Sequence, residues 1–277
     1  MATVQALLRE ASGLPSDDPR RDAEVLLGHC VQRPRSWLYA WGEQAVDDAT
    51  AAHYRRLLAG RRSGVPVAYL IEQREFWSLS LRVTAATLIP RPDTECLVAR
   101  ALALPLPAVA RVLDLGTGSG AIALALATER PDWRVVAVDA DAAALAVARE
   151  NAAALAPGRV ELLQSNWFAA LAAQRFDLVV ANPPYIASAD RHLDEGDLRF
   201  EPQGALVSGE RGLDDLAHII ARAPSHLAAD GFLLLEHGWE QAAEVGRLLT
   251  AAGFSDVTTC RDYGGNERVS GGRWHAV

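Results

Sequence analysis

The stretch RVLDLGTGSG at residues 111–120, followed by AIALALA at 121–127, decides the fold of this chain. A short apolar segment runs into three glycines and then into strong helix formers, which predicts a strand, a tight turn and a helix. Glycines let the backbone turn sharply and let a ligand approach main-chain atoms closely. The glycines follow the spacing G-x-G-x-G, whereas the dinucleotide fingerprint is G-x-G-x-x-G. This spacing disfavours a nicotinamide oxidoreductase.

Alternating strands and helices are predicted from about residue 91 onward. A second strand ends at Asp139, whose carboxylate can accept two hydrogen bonds from a ribose diol. The glycine loop and this carboxylate together indicate a nucleoside-type cofactor. The predicted strands are 111–115, 133–138, 159–164, 176–181, 231–237, 256–261 and 267–275. This pattern predicts an α/β fold, a Rossmann-like doubly wound sheet that ends in a β-hairpin.

The motif NPPY at residues 182–185 follows the apolar strand 176–181. Each proline ring fixes φ near −65°, so Asn182 is held rigidly at the carboxyl end of a strand. The Asn182 side chain and the Pro183 carbonyl are two fixed acceptors, and they suit a planar NH₂ group. Tyr185 adds a flat ring that can pack against the group carrying this nitrogen. In isolation the motif would indicate only a turn, but after the glycine loop it predicts an enzyme that acts on an amide or exocyclic amino nitrogen.

The chain changes character near residue 74. The apolar spacing before it predicts a small helical bundle, and the segment 76–83 alternates with period two, which predicts a strand. Together with apolar residues on either side, this strand suggests a short connecting sheet or hairpin. We therefore predict three parts: an N-terminal helical substrate-docking domain at 1–73, a β-hairpin linker at 74–90 and a catalytic domain at 91–277.

Composition limits the chemistry. The net charge is −8, and all 27 strongly basic residues are arginine, which excludes a Schiff-base lysine and the lysine of a nucleotide P-loop. The acidic balance argues against broad electrostatic binding to nucleic acid. The three cysteines have no metal-ligand spacing, so we expect no metal site. We also expect no targeting segment and no membrane span, and hence a cytoplasmic enzyme.

The order of glycine loop, Asp139 and NPPY resembles the class I S-adenosylmethionine-dependent methyltransferases. Further segments resemble the PrmC/HemK family, the methyltransferases of peptide chain release factors. They are REFW at 74–77, TLIPRPDTE at 87–95, SNWF at 165–168, RFEP at 199–202 and NERV at 266–269. The resemblance spans the whole chain, and the segments at 87–95 and 199–202 narrow it from the superfamily to this family.

The family resemblance implies methylation of the side-chain amide nitrogen of the glutamine in the Gly-Gly-Gln loop of class I release factors. S-adenosyl-L-methionine is the implied methyl donor and S-adenosyl-L-homocysteine the product. The motif positions imply that the cofactor is bound by Asp114, Gly116, Thr117, Gly118, Ser119, Gly120, Asp139, Asn166, Trp167 and Asn182. The implied substrate site is Asn182, Pro183, Pro184 and Tyr185, with Asn182, Pro183 and Tyr185 as catalytic residues.

Individual roles within this set differ. Asp114 is expected to order the glycine loop or to receive the cofactor ammonium group. Trp167 is expected against the adenine, with a core aromatic as the alternative. Asn166 stands where relatives often carry Asp, so we expect a weaker contact with the adenine amino group.

Other interpretations stay open. A nucleic-acid amino methyltransferase would also present an exocyclic NH₂ to NPPY, and a non-enzymatic binding protein could use the same fold. Glu236 and His237 are interpreted as structural or as lining the cofactor cleft. The charged stretch 191–197 is expected to be a solvated loop. The cluster Arg55, Arg56, Arg61 and Arg62 is either a solvated helix face or a docking surface for a release factor.

Overall fold

The structure is a computed structural model that describes residues 1–275, so the last two residues of the predicted domain 91–277 lie outside it. The chain forms two compact units. The first consists of Met1–Gln73 together with Arg191–Phe200. The second consists of Arg74–Asp190 and the residues from Glu201 onward. The hairpin thus groups with the second unit, and the segment that follows NPPY groups with the first.

The first unit is a helical bundle. Its helices are α1 (Val4–Arg9), α2 (Pro19–Val31), α3 (Arg35–Ala40), α4 (Asp48–Arg62) and α5 (Val67–Leu70), and a two-stranded sheet pairs β1 (Ala2–Thr3) with β2 (Ala45–Val46). Side-chain oxygens of Thr3, Asp18 and Asp47 accept hydrogen bonds from backbone N–H groups in the first turns of α1, α2 and α4. Leucines of α1, α2 and α4 pack around the fully buried Tyr54.

A hairpin of β3 (Gln73–Phe76) and β4 (Leu79–Arg82) stands at the start of the second unit, which includes all of it except Gln73. The prediction of a continuous strand over 76–83 is wrong, because Trp77 and Ser78 form the turn between the two strands. Both have positive φ, 50° and 60°, as a two-residue turn that matches the twist of a hairpin requires. The alternation of apolar and polar residues continues across this turn, so the period-two pattern did not reveal where the first strand ends and the second begins.

A seven-stranded sheet dominates the second unit. Its strands are β5 (Arg111–Leu115), β6 (Arg134–Asp139), β7 (Val160–Gln164), β8 (Phe176–Ala181), β9 (Leu227–Glu236), β10 (Ser255–Arg261) and β11 (Glu267–Arg273). They lie in the order β10-β11-β9-β8-β5-β6-β7. The five strands from β7 to β9 in this order are parallel, and β11 pairs antiparallel with both β9 and β10. The prediction of a Rossmann-like doubly wound sheet with a terminal hairpin is confirmed.

Helices cover both faces of this sheet. They are α6 (Glu95–Leu102), α7 (Ala121–Glu129), α8 (Ala142–Leu155), α9 (Asp214–Arg222) and α10 (Ala242–Ala251). Alternate residues of each strand point to opposite faces. Val112 and Val180 therefore pack with α6 and α7, while Leu113 and Val179 pack with α9 and α10. Two separate apolar layers fix the sheet, and they hold its carboxyl edge in place.

No helix within residues 1–275 is long and apolar enough to cross a bilayer.

Candidate functional site

The strand register brings the predicted motifs to one edge of the sheet. Val138, Leu115, Ala181 and Leu235 are partners in one row across β6, β5, β8 and β9. The next residues along these strands are Asp139, Gly116, Asn182 and Glu236, and they therefore emerge side by side. Ligands of open α/β sheets bind at this carboxyl edge.

A cavity of about 400 Å³ lies at this edge, within the range of small-molecule sites. Predicted site residues form much of its wall, namely Gly116, Gly118, Asp139, Asn166, Trp167, Asn182 and Pro184. Thr87 and Leu88 line it from the segment after the hairpin, and Pro202 and Gly204 line it from the segment after residue 200. Asp114, Thr117, Ser119, Gly120, Pro183 and Tyr185 are predicted site residues outside this lining.

Asp114 supports the glycine loop from beneath. Its Oδ2 accepts hydrogen bonds from the Thr117 hydroxyl at 2.6 Å and from the Ala123 N–H at 3.2 Å. Burial raises the pKa of the Asp114 carboxyl to about 7, against the opposing effect of these two donors. Its Oδ1 is buried and has no hydrogen-bond partner within residues 1–275. Of the two expected roles, this geometry favours ordering of the loop, because Asp114 is fully buried.

Asp139 is tied to the loop as well. Its Oδ2 accepts from the Gly118 N–H at 2.8 Å and its Oδ1 from the Asp141 N–H at 2.9 Å. Each carboxylate oxygen can accept a further hydrogen bond, since the two oxygens of an ionised carboxylate together offer about four acceptor sites. Burial raises the pKa of Asp139, while the two backbone donors oppose this rise.

The glycine loop leaves the room that a ligand needs. Gly118 has φ +57°, and a Cβ placed there would meet nothing within 4 Å. Gly116 has φ +69°, and its Cβ would lie 3.3 Å from the Trp167 ring. Side chains are disfavoured at both positions because positive φ is strained for residues other than glycine. The ligand can therefore approach the backbone between β5 and α7.

Trp167 and Asn166 form another wall of the cavity. Trp167 is half-buried with φ 47°, a strained conformation of the kind that clusters at functional sites. The Ser165 hydroxyl donates to the Trp167 carbonyl oxygen at 2.8 Å and accepts from the Ala170 N–H at 2.9 Å, which holds this turn. Asn166 is exposed beside it.

Asn182 is oriented by a residue that sequence reasoning missed. Its Nδ2 donates to the Thr94 hydroxyl oxygen at 3.2 Å, which leaves the amide oxygen Oδ1 as an acceptor. Thr94 precedes α6 at the capping position, yet its side chain makes no capping hydrogen bond to that helix. A threonine before a helix is expected to be a cap, so no sequence pattern assigned Thr94 to the site.

Two further contacts fix the chain after Asn182. The Tyr185 hydroxyl lies 3.3 Å from Oε1 of Glu236, and the Tyr185 carbonyl oxygen accepts from Gln241 Nε2 at 3.1 Å. Gly212 packs so closely that a Cβ there would lie 2.1 Å from the Tyr185 carbonyl oxygen. Burial raises the pKa of the Tyr185 phenol, so it stays neutral and can donate.

A buried carboxylate also holds the segment at 87–95 in place. Glu201 is buried and forms an ion pair with Arg91, and its Oε2 accepts from the Ile89 N–H at 3.1 Å. The contact joins two of the sequence segments that carried the family resemblance.

The arginine cluster of the first unit is largely engaged in internal contacts. Arg55 pairs with Glu10 at 2.7 Å, and Arg62 donates to the Glu10 carbonyl oxygen. Arg61 is buried and pairs with Asp22 at 2.7 Å and Asp197 at 3.2 Å. The interpretation of the cluster as a simple solvated face is therefore wrong for Arg61, and Asp197 of the charged stretch 191–197 is an anchor point within the first unit.

The residues present suit S-adenosylmethionine. The cavity joins an open glycine loop, a carboxylate with free acceptor sites and an indole ring, and these match the methionine, ribose and adenine parts of that molecule. No cluster of three or more potential metal ligands occurs within the described part of the chain.

Comparisons with known proteins point the same way. Residues 94–197 match the model of the methyltransferase small domain, and residues 2–71 match the PrmC N-terminal domain. The release factor glutamine methyltransferase of Salmonella typhimurium is 56% identical over 259 residues, covering 94% of each chain. The protein of the same name from Escherichia coli is 52% identical over 273 residues, covering 98% of this chain and 99% of the relative.

Among solved structures, a methyltransferase from Pyrococcus furiosus superposes with a TM-score of 0.55 at 17% identity. The match covers 82% of this chain and all of that one. At this identity the likeness concerns the fold alone.

Proposed function

Because this chain belongs to the release factor glutamine methyltransferase family, we propose that it methylates the side-chain amide nitrogen of a glutamine in class I peptide chain release factors. The methyl donor is S-adenosyl-L-methionine and the product S-adenosyl-L-homocysteine. The target is the glutamine of the Gly-Gly-Gln loop. The alternative of a nucleic-acid amino methyltransferase is not favoured, since the close relatives are named for release factors.

The observation that carries this proposal is the orientation of Asn182. Its Nδ2 is committed to Thr94 at 3.2 Å, so Oδ1 is the atom available to a substrate in the cavity that Asn182 lines. The Pro183 carbonyl oxygen is a second acceptor in the same rigid turn, because proline lacks only the donor. Two fixed acceptors can bind both hydrogens of a primary amide at once.

This arrangement addresses the chemical difficulty of the reaction. An amide nitrogen is a poor nucleophile because its lone pair is delocalised into the carbonyl group. The bound cofactor supplies an activated methyl group. The protein contributes positioning, and holding reactants in line can supply up to about 7–11 kcal/mol of the barrier. Acceptors at Asn182 and Pro183 aim the nitrogen, and the Tyr185 ring packs against the substrate side chain.

Residues around the cavity would hold the cofactor. Asp139 would accept hydrogen bonds from the ribose hydroxyls, and the loop 116–120 would bind the methionine part. Trp167 would hold the adenine ring, and Asn166 would accept from the adenine amino group. Asp114 fixes the loop through Thr117 at 2.6 Å.

The helical unit serves to dock the protein substrate. All residues assigned to the cofactor lie in the second unit, so the first is left for recognition of the release factor. Trp41 at the end of α3 is 55% exposed, and exposed tryptophan is typical of interface anchors. Trp41→Ala should raise KM for an intact release factor but leave methylation of a short glutamine peptide unchanged.

One experiment tests the proposal. The protein is incubated with labelled S-adenosylmethionine and a purified class I release factor, and the label is located by mass spectrometry. Wild type should label the glutamine of the Gly-Gly-Gln loop. Asn182→Ala should bind the cofactor normally and lose most of kcat, because orientation matters most in the transition state. Asn182→Asp keeps an acceptor and should retain partial activity. Label at another residue, or equal single-turnover rates for wild type and Asn182→Ala, would contradict the proposal.

A further inference from the structure

Glu236 is a buried carboxyl group that the proposed reaction does not use. It ends β9 and is 1% exposed. Its Oε1 lies 3.3 Å from the Tyr185 hydroxyl. Its Oε2 is buried and has no hydrogen-bond partner in the described part of the chain. A buried carboxyl group with an open acceptor is expensive for a fold to keep, so a role is expected.

The Thr94 hydroxyl is the group that neighbours both Glu236 and Asn182. It is among the groups that lower the pKa of the Glu236 carboxyl group, and its oxygen accepts from Asn182 Nδ2 at 3.2 Å, so its own hydrogen is available for the Oε2 of Glu236, which is unpartnered within residues 1–275. A hydroxyl group has one hydrogen to donate. When that hydrogen points to Glu236, the Thr94 oxygen can only accept, and Asn182 must turn its NH₂ towards Thr94.

We propose that Glu236 is a positioning residue that sets the direction of the hydrogen bonds through Thr94 and thereby turns the Asn182 amide oxygen towards the substrate amide. The proposal rests on the proposed function, because it concerns how Asn182 accepts from a substrate NH₂. Tyr185 donates to the same carboxylate, so Glu236 also fixes the ring that packs beside the substrate. Asn182, Thr94, Tyr185 and Glu236 then act as one network.

The opposite direction would be unproductive. A protonated Glu236 can donate to Thr94, and the Thr94 hydroxyl can then donate to the Asn182 oxygen. The amide would turn and present its NH₂ to the substrate NH₂, and two donors cannot bind each other. Ionised Glu236 excludes this arrangement because a carboxylate only accepts.

The Glu236 carboxyl group changes its protonation state near neutral pH. Burial raises the pKa of Glu236 to about 7, and the neighbours Thr94, Arg268 and Tyr185 lower it while Asp93 raises it. Cys96 also lies within electrostatic range of Glu236. Arg268 is itself paired with Asp262 at 3.1 Å and with Asp93 at 3.5 Å, so it only partly compensates Glu236.

The first test changes Glu236 itself. Glu236→Leu removes both acceptors at similar volume, and Glu236→Gln keeps the shape but can either accept from or donate to Thr94. Each is assayed for kcat and KM with a purified release factor and for cofactor binding by calorimetry. We expect kcat to fall about 10- to 100-fold in Glu236→Leu and less in Glu236→Gln, since misplacement of a reacting group has effects of this order. The Kd for S-adenosylmethionine should change less than threefold. The exposed Glu161→Gln is the control for loss of a carboxylate.

The second test uses Thr94 and pH. Thr94→Val removes the hydroxyl at nearly constant shape and should lower kcat as Glu236→Leu does, whereas Thr94→Ser should restore most of it. In wild type, kcat should rise as pH increases through about 7, and Glu236→Gln should lack this rise. A Thr94→Val enzyme with wild-type kcat, or an unaltered pH profile in Glu236→Gln, would overturn the positioning role.

Circular dichroism would show whether Glu236→Leu is folded. If it is not, the kcat values of Thr94→Val and Thr94→Ser and the pH profile of Glu236→Gln would still test the positioning role of Glu236. A wild-type enzyme that fails to methylate any release factor would refute the proposed function instead. The two failures are therefore distinguishable.

Discussion

Asp139→Ala should weaken S-adenosylmethionine binding and leave the fold intact. The carboxylate stands at the end of β6, where the row of paired residues across the sheet opens into the cavity. Its two oxygens are held by the N–H groups of Gly118 and Asp141 at 2.8 and 2.9 Å. This leaves one remaining acceptor direction on each oxygen for a ribose hydroxyl.

The magnitude follows from those hydrogen bonds. A hydrogen bond to a charged group contributes about 1.5–3 kcal/mol, so affinity should fall between about tenfold and about 150-fold. Asp139→Asn is the more specific test of the carboxylate. The asparagine amide has a single acceptor oxygen, whereas both carboxylate oxygens of Asp139 accept backbone hydrogen bonds. Either the Gly118 or the Asp141 N–H then faces an NH₂ group, so Asn should bind nearly as weakly as Ala.

Isothermal calorimetry with S-adenosylmethionine at pH 7.5 measures the effect, and circular dichroism verifies the fold. Asp132→Asn is the matched control, since Asp132 is exposed in the turn before β6. An Asp139→Ala protein that is folded and binds with wild-type affinity would remove Asp139 from the site. If Asn restored full affinity, a neutral acceptor would suffice and the argument from charge would be wrong.

Three further changes test other parts of the site. Asn166→Asp should tighten cofactor binding about three- to tenfold in calorimetry, because a charged acceptor gains about 1 kcal/mol over a neutral one; weaker binding would place Asn166 away from the adenine amino group. Burial raises the pKa of Asp114 from 3.8 to about 7, so ionisation of this carboxyl group disfavours the folded state. The contribution of the protonated carboxyl group to the free energy of unfolding, present at pH 4, is therefore lost as pH rises through 7. Relative to Asp114→Asn, the free energy of unfolding of wild type should fall by up to about 4 kcal/mol between pH 4 and 7.5 in urea titrations; a constant difference would contradict the raised pKa. Gly212→Ala puts a Cβ 2.1 Å from the Tyr185 carbonyl oxygen at φ +69°, so it should destabilise the fold by about 1–3 kcal/mol and lower the single-turnover rate, with little change in cofactor affinity.

The buried parallel strands were the most predictable part of the fold. The predicted limits 111–115 and 176–181 coincide with those of β5 and β8, because strands buried on both faces are continuous apolar runs. Strand β9 begins at Leu227, four residues before the predicted 231. Its first part pairs with β8 across an irregularity in register, and no local pattern marks such pairing.

Short elements depended on tertiary contacts and were missed. Helices α3 and α5 contain six and four residues, too few to display a helical period. They are stabilised by packing against their neighbours, since helices of this length are not stable alone.

Candidate site residues could be assigned from the sequence where a single short motif contains both the strand end and the functional group. The glycine loop, Asp139 and Asn182 were assigned from the residues that precede them along the chain. Thr94 was not, because its position before α6 suggests a cap, whereas its hydroxyl is diverted to Asn182. Such a contact between residues 88 positions apart leaves no trace in a single sequence.

The lateral order of strands explains why the sequence alone did not place Glu236, interpreted above as structural or as lining the cofactor cleft, next to Asn182. A sequence reveals where each strand ends, but it does not reveal which ends are neighbours. In the structure, Leu235 of β9 pairs with Ala181 of β8, and Ala181 pairs with Leu115 of β5. Glu236 therefore ends β9 beside Asn182, just as Asp139 ends β6 beside Gly116. A carboxylate thus ends the strand on either side of the β5–β8 pair, Asp139 beside the glycine loop and Glu236 beside Asn182, and the same register places both.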